Sequence, residues 1–242
     1  MPRTRSPARL DRILDAAADA FLELGYRRTL LSDIAKRGRV AVGTVYLYAD
    51  SKESLFELVL RRAFGEAPPG PDAMPFRGSA GDDLIAWVWN RFGEIRHFPV
   101  LEAAAASARP ADPLHEMEQV LREIWAWMSR YWQALELIER CARDWPELHL
   151  LFYRQFRRSV FGLATSLVHR RIDERAFRRY PDAATLVRVM AENIAFFAMH
   201  HHVRPDSADL DEDVCRETVI TMLLAGLAVP AGSAPVQSLE TA

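Results

Sequence analysis

The chain has 242 residues, half of them apolar and 26% charged, the composition of a soluble globular protein with room for one large domain or two unequal ones. Its two cysteines, Cys141 and Cys215, have no C-x-x-C neighbour, which excludes a thiolate zinc site and a disulfide scaffold and fits a reducing cytoplasm. The basic N-terminus runs into no apolar stretch, so neither a signal peptide nor a membrane span is expected. The net charge of −2 conceals a basic start on an acidic body: residues 1–65 hold 12 Lys and Arg against 8 Asp and Glu, the rest 19 against 25, as suits a first segment that meets a polyanion.

Helical periodicity runs through almost the whole chain, with no convincing alternating strand. Ser6-Pro7 is a good helix start, the stripe Leu10, Ile13, Leu14, Ala17, Phe21, Leu24 follows at i, i+3/i+4 spacing, and Gly25 ends it. Thr29 is placed to cap a second short helix bearing Leu31, Ile34 and Ala35. A tight turn around Gly38-Arg39-Val40 leads to a third helix from about Val42 to Tyr48, and Asp50-Ser51-Lys52-Glu53 resembles a capping box opening a fourth. Residues 65–81 break the pattern, with prolines at 68, 69, 71 and 75 and glycines at 65, 70, 78 and 81. Further helices are expected near 82–97, 99–108, 114–143 (with a break or bend), 147–178, 182–203 and 211–228, each punctuated by proline or polar turns.

Two short helices joined by a tight turn form a platform that pushes the second helix into the major groove of DNA. Here the second reads Val42-Gly43-Thr44-Val45-Tyr46-Leu47-Tyr48, with Val45 as the inward anchor. Thr44, Tyr46 and Tyr48 present hydroxyls, and Lys52 at the start of the next helix brings a cation suited to a phosphate. The alternative is a small three-helix core whose tyrosines merely cover it.

The order and spacing of Phe21, Gly25-Tyr26, Thr29, Asp33-Ile34-Ala35, Gly43-Thr44-Val45-Tyr46-Leu47-Tyr48 and Lys52-Glu53-Ser54-Leu55-Phe56 resemble the N-terminal domain of the tetracycline-repressor (TetR) family over residues 10–64. The resemblance implies an all-α protein. Residues 1–64 would be a helix-turn-helix DNA-binding domain, 65–81 a linker loop, 82–230 a helical ligand-binding and dimerisation domain, and 231–242 a disordered tail. It also implies backbone contacts from Thr44, Tyr46, Tyr48 and Lys52, base-edge proximity for Val42, Gly43 and Leu47, and an anchor at Thr29 or Ser32. Two departures stand out. The family's turn, Ala-Gly-Val-Ser, is here Gly38-Arg39-Val40-Ala41, so the glycine is displaced and the serine cap is lost. The aromatic after the second tyrosine is Ala49. Arg39 at that corner is either a phosphate contact or a solvated side chain.

The resemblance further implies a homodimer on double-stranded, palindromic operator DNA, joined through the last two long helices. Val189, Asn193 and Phe197 on the first, and Thr218, Met222 and Gly226 on the second, form the expected interface; the competing reading is a core within one chain. Aromatic supply in the body (Trp87, Trp89, Trp125, Trp127, Trp132, Phe152, Phe156 and Phe161) points to a pocket for a small apolar effector, with Trp87, Trp125, Trp132, Phe152 and Phe156 singled out as lining and Glu94, Glu136, Arg96, Gln155 and His169 as polar candidates. His200-His201-His202 does not make a metal site, since neighbours on a helix point about 100° apart. No phosphate loop, H-E-x-x-H or nucleophile elbow is present, so no enzyme, cofactor or metal is expected. The expected function is a cytoplasmic transcriptional repressor released by an effector; the alternative is an effector-independent regulator whose body docks a protein partner.

Overall fold

Ser6 and Pro7 start the first helix as the sequence requires. In the computed structural model, which describes residues 6–79, 81–204, 207 and 209–230, α1 spans Pro7–Leu24. The tail expected at 231–242 lies outside the described residues. Gly25 (φ 84°) returns its N–H to the Phe21 carbonyl and stops the helix, at a left-handed backbone angle that glycine adopts without a Cβ clash. Helices α2 (Leu31–Arg37), α3 (Val42–Val45) and α4 (Lys52–Ala63) follow. The α1 stripe, with Leu10, Ile13, Leu14, Ala17 and Phe21 all buried, packs on α2, where Ile34 and Ala35 are buried, and on α4 with its buried Leu55–Leu60 run.

Downstream lie α5 (Asp82–Ile95), α6 (Pro99–Ala106), α7 (Pro113–Cys141) and α8 (Pro146–His149). A π-helical stretch, Leu150–Arg157, leads into α9 (Arg158–Asp173), and α10 (Ala183–Ala198) and α11 (Glu212–Leu227) complete the series. Among the described residues every regular element is helical, the sole extended feature being an isolated bridge between Ala49 and Phe76. The bend expected in 114–143 is at Tyr131, where the dihedrals leave the helical range (φ −109°, ψ 16°). The helix expected over 182–203 ends at Ala198 and gives way to a 3₁₀ turn, His200–Val203, in which His201 is buried and stacks on His202 at 3.9 Å. No described helix is long and apolar enough to cross a membrane.

The chain divides into two compact units, 1–97 with 130–158, and 98–129 with 159–242. This differs from the sequential division at 64 and 82 expected from the proline-rich stretch. Residues 65–81 are no free linker, because Phe76, Gly78 and Ser79 are bonded back to Tyr48, Asp50, Ser54 and Glu57. The end of α7 returns to the same unit. Arg140 donates to the Leu22 and Glu23 carbonyls at the end of α1 (2.9 and 2.7 Å), Asp144 accepts the Arg27 N–H, and Trp145 lies on Tyr26 at 4.3 Å. A Cβ on Gly25 would meet Asp144 Oδ2 at 2.7 Å, so this glycine serves the close approach as well as the turn.

The second unit surrounds an apolar centre built on Leu101, Met117, Leu121, Trp125, Leu167, Phe177, Ile194, Val219 and Leu223. Arg171 of α9 is fully buried at its edge. It donates to both Glu116 carboxylate oxygens (2.8 and 3.0 Å), to Glu174 (2.9 Å), to the Ser107 hydroxyl and to the Ala104 and Ala108 carbonyls. One guanidinium therefore joins the end of α6, the start of α7 and the end of α9. Arg122 and Glu217 form a two-pronged pair between α7 and α11, and this pairing holds the Glu217 carboxyl down at about 2. Cys141 and Cys215 are buried free thiols that burial pushes above the ordinary thiol value.

Candidate nucleic-acid interface

Helices α2 and α3 with their turn form the helix-turn-helix. Val45, fully buried, is the inward anchor of α3, as its spacing predicts. The turn shows how the displaced glycine is accommodated. Gly38 has an ordinary backbone (φ −73°) and lies where a Cβ would come 3.3–3.5 Å from α2 and α1 atoms, while Arg39 takes the left-handed conformation at φ 51°. For a residue with a side chain that conformation costs about 1 kcal/mol. Ala41 starts α3 without a side-chain cap, as the missing serine implies.

The residues expected at DNA fall into two groups. Ser32, Arg39, Val42, Gly43 and Tyr46 are exposed, Val42 by 39% and Tyr46 by 48%. A Cβ on Gly43 would meet nothing within 4 Å, so packing does not demand glycine there and the α3 backbone is open to close approach from outside. Leu47 is half-buried. Thr29, Thr44 and Tyr48, by contrast, are buried. The Thr29 hydroxyl donates to the Ala20 and Gly25 carbonyls, locking the turn after α1, so it neither caps α2 nor faces outward; Asp33 accepts the Leu30 N–H at the α2 start instead. The Tyr48 hydroxyl accepts the Ser6 N–H at 2.9 Å and donates back to the Ser6 carbonyl, tying α3 to the start of α1.

Lys52 is also turned inward. Its Nζ donates to the Tyr26 and Thr29 carbonyls at 3.1 and 3.3 Å and lies 4.4 Å over the Tyr26 ring. Two carbonyls and an aromatic face at the end of the α1 turn satisfy the ammonium within the protein. Burial, then the Glu53 carboxylate, raises the Tyr26 phenol above its ordinary value, so the ring under Lys52 stays neutral. At the α4 start the Ser51 hydroxyl accepts the Ser54 N–H, and Ser54 in turn donates to Asp50. Ser54, rather than Glu53, therefore occupies the inner position of the cap.

The first unit also contains a cleft of about 500 Å³ lined by Trp89, Asn90, Phe92, Gly93, Glu94 and Arg96 of α5 and its end, with Phe156 opposite. Of the five aromatics singled out as lining, Phe156 alone borders it; of the wider aromatic set Trp89 does too, and Glu94 and Arg96 of the polar candidates. Phe152 is stacked behind, 6.1 Å from both Phe92 and Phe156. Trp87 is taken up by Phe64 and Arg61, Trp132 is half-buried without bordering the cleft, and Trp125 belongs to the core of the second unit. The cleft is linked to the helix-turn-helix through α4: Phe64, just past its end, packs edge-on against Phe92 at 6.3 Å, and Phe92 stacks on Phe156 at 4.2 Å.

Sequence reasoning missed the return of 76–79 onto α4 and the Arg140–Trp145 contact with the α1 turn. The only signals for them were an isolated aromatic, Phe76, in a loop otherwise rich in proline and glycine, and Trp145 before Pro146.

The family model for bacterial regulatory proteins of the tetR family matches residues 13–59, the segment that forms this head. Over 54 residues the chain is 39% identical to the fatty acid metabolism regulator protein of Bacillus subtilis and to the negative transcriptional regulator of the biofilm operon of Staphylococcus aureus. Each match covers 22% of this chain and less than a third of the relative (28% and 29%). In fold, the ketosteroid transcriptional regulator of Mycobacterium tuberculosis superposes with a TM-score of 0.55 over 94% of this chain and 98% of its own, at 16% identity. The MbdR regulator of Azoarcus sp. CIB gives 0.52 over 91% and 100%, at 18%. The helix-turn-helix segment thus matches the tetR family of bacterial regulatory proteins, and the described helices share the fold of these two solved regulators.

Proposed function

We propose that the protein is a sequence-specific transcriptional repressor that binds palindromic operator DNA as a homodimer and leaves it when a small, largely apolar effector binds. The observation that carries the DNA-binding reading is the outward face of α3, where Val42, Gly43 and Tyr46 are exposed and a Cβ at Gly43 would have no neighbour. A helix kept bare at its start admits a base edge or a phosphate, and the Tyr46 hydroxyl supplies a donor. The Staphylococcus relative is a negative regulator, and repression is the sign adopted here. The dimer reading is supported by an exposed α11 stripe of Val214, Thr218 and Met222 and by the exposed Val189 of α10. Binding assays on duplex DNA test the head. Tyr46→Phe, which removes one donor, is expected to weaken binding about tenfold on any sequence. Changes at Val42 are expected to alter base preference by roughly 1–3 kcal/mol at one position. If both variants bind like the wild type, α3 is not the reading helix.

The effector reading rests on the cleft between Trp89, Phe92 and Phe156, whose floor reaches the end of α4 through Phe64. A molecule seated in the cleft against the stacked Phe92 and Phe156 pair acts on the ring against which α4 ends. To release DNA it must bind the DNA-incompetent arrangement more tightly, and DNA must weaken its binding by the same factor. Trp89, 42% exposed at the rim, is the reporter. Titration with apolar and aromatic compounds is expected to give quenching that Trp89→Phe abolishes and that bound DNA weakens. Quenching indifferent to DNA would reject the coupling.

A further inference from the structure

The segment after α4 folds back as a strap along that helix. The Phe76 N–H donates to the Tyr48 carbonyl (2.9 Å) and its carbonyl accepts the Asp50 N–H (3.2 Å), bracketing Ala49 at the junction of α3 and α4. Beyond it, the Gly78 N–H donates to Ser54 Oγ (3.0 Å) and the Ser79 N–H to the buried Glu57 carboxylate (2.6 Å). A Cβ on Gly78 would lie 2.6 Å from Glu57 Oε2, 2.8 Å from the Phe76 ring and 3.2 Å from the Ser54 Cα, so glycine lets the strap sit closely on α4 and a side chain there would push its neighbours aside. Phe76 also lies under the Arg61 guanidinium, which is paired with Glu57. Arg77 is thereby fixed at one place, beside Asp50, with its side chain 82% exposed and only a loose 3.9 Å approach to the Asp50 carboxylate.

That place needs a cation. Residues 40–60, which carry α3 and most of α4, contain a single Lys or Arg, Lys52, and its ammonium is bonded to the Tyr26 and Thr29 carbonyls. They also carry Asp50, an exposed carboxylate one residue from the buried Ala49. A polyanion approaching α3 thus meets a negative charge at its far end, whereas the outward cations of the helix-turn-helix, Lys36, Arg37 and Arg39, all precede α3. Arg77, delivered by the strap, offsets Asp50 and presents a planar guanidinium to a phosphate oxygen. We propose that Arg77 is a DNA-backbone contact lying outside the helix-turn-helix, held in position by the pairing of Phe76 with Tyr48 and Asp50.

The inference rests on the DNA-binding reading, and one experiment separates the two. The full chain is titrated onto a mixed-sequence duplex of roughly three helical turns across a salt series, since a phosphate contact acts on all sequences. Wild type, Arg77→Ala and Arg77→Lys are compared, with thermal melts confirming that the backbone pairing of the strap is intact. For Arg77→Ala the slope of log K against log salt is expected to flatten by about 0.9 per head. Affinity at low salt is expected to fall roughly tenfold, while Arg77→Lys keeps the wild-type slope. A wild-type protein without salt-dependent DNA binding overturns the DNA-binding reading and this inference together. A steep wild-type slope that Arg77→Ala leaves unchanged overturns the inference alone.

Discussion

Arg171→Ala is expected to lower the stability of the second unit by about 3–5 kcal/mol, because it leaves two carboxylates and several carbonyls facing a cavity in place of a guanidinium. The side chain is fully buried, whereas its partners Glu116 and Glu174 keep 14% and 25% of their side-chain surface. The charge is therefore neutralised inside the protein rather than by water. Loss of the hub frees the Ala104–Ala108 carbonyl turn, to which Arg170 also donates from the next position on α9. At about 2–4 °C per kcal/mol for a chain of this size, the melting temperature is expected to drop by roughly 6–20 °C, read by calorimetry. Exchanging Arg171, Glu116 and Glu174 together for apolar residues of similar volume is expected to restore much of that loss, since no lone buried charge then remains. If Arg171→Ala melts like the wild type, the guanidinium is not the junction of α6, α7 and α9.

The periodic elements were legible because their cause is local. The α1 stripe from Leu10 to Phe21 is spaced to bury one face, Gly25 is the residue that tolerates φ 84°, and the prolines at 99, 113 and 146 each stand at the first position of a helix. The candidate reading surface was legible in part. Val42, Gly43 and Tyr46 lie outward, but Thr29, Tyr48 and Lys52 carry the same donor groups and use them inside the head. A hydroxyl or ammonium in a motif is equally able to bond a phosphate or a carbonyl, and sequence spacing does not contain the direction of the side chain. The cleft was less legible still. Tryptophans mark a pocket and a packed core alike, and Trp125 and Trp87 went to packing while glycine and asparagine on α5 opened the cleft. The strap was invisible because its contacts, Phe76 to Tyr48 and Ser79 to Glu57, join residues more than 20 positions apart and use, on the strap's side, backbone groups that every sequence has.

Met222→Glu is expected to give a monomer at micromolar concentration and to lower operator affinity by roughly 10²–10⁴-fold, because two half-sites held on one dimer gain from each other's proximity and a single head does not. Met222 is chosen because the structure separates two faces on the last helices. Val187, Met190 and Ile194 of α10 and Val219, Ile220, Leu223 and Leu227 of α11 are buried within the chain, so one face serves the core of the second unit. The other carries Val189 (51% exposed), Val214 (65%) and Met222 (53%), apolar surface that water does not favour and that a second copy would cover. The remaining residues expected at the interface make poorer tests. The Gly226 carbonyl accepts the Tyr180 hydroxyl at 2.8 Å and a Cβ there would lie 3.4 Å from the same oxygen, so its small size already serves packing in one chain. Asn193 donates to the Val189 carbonyl of its own helix, Phe197 is half-buried against Phe196, and Thr218, though exposed, is polar and small. A carboxylate at 222 adds charge to an exposed position, leaves the core untouched, and is expected to keep the monomer's helicity. Sedimentation and binding to a palindromic duplex are measured on the same preparations. A Met222→Glu protein that remains dimeric removes this face from the interface, and a monomeric wild type that still binds a palindrome tightly removes the dimer from the mechanism.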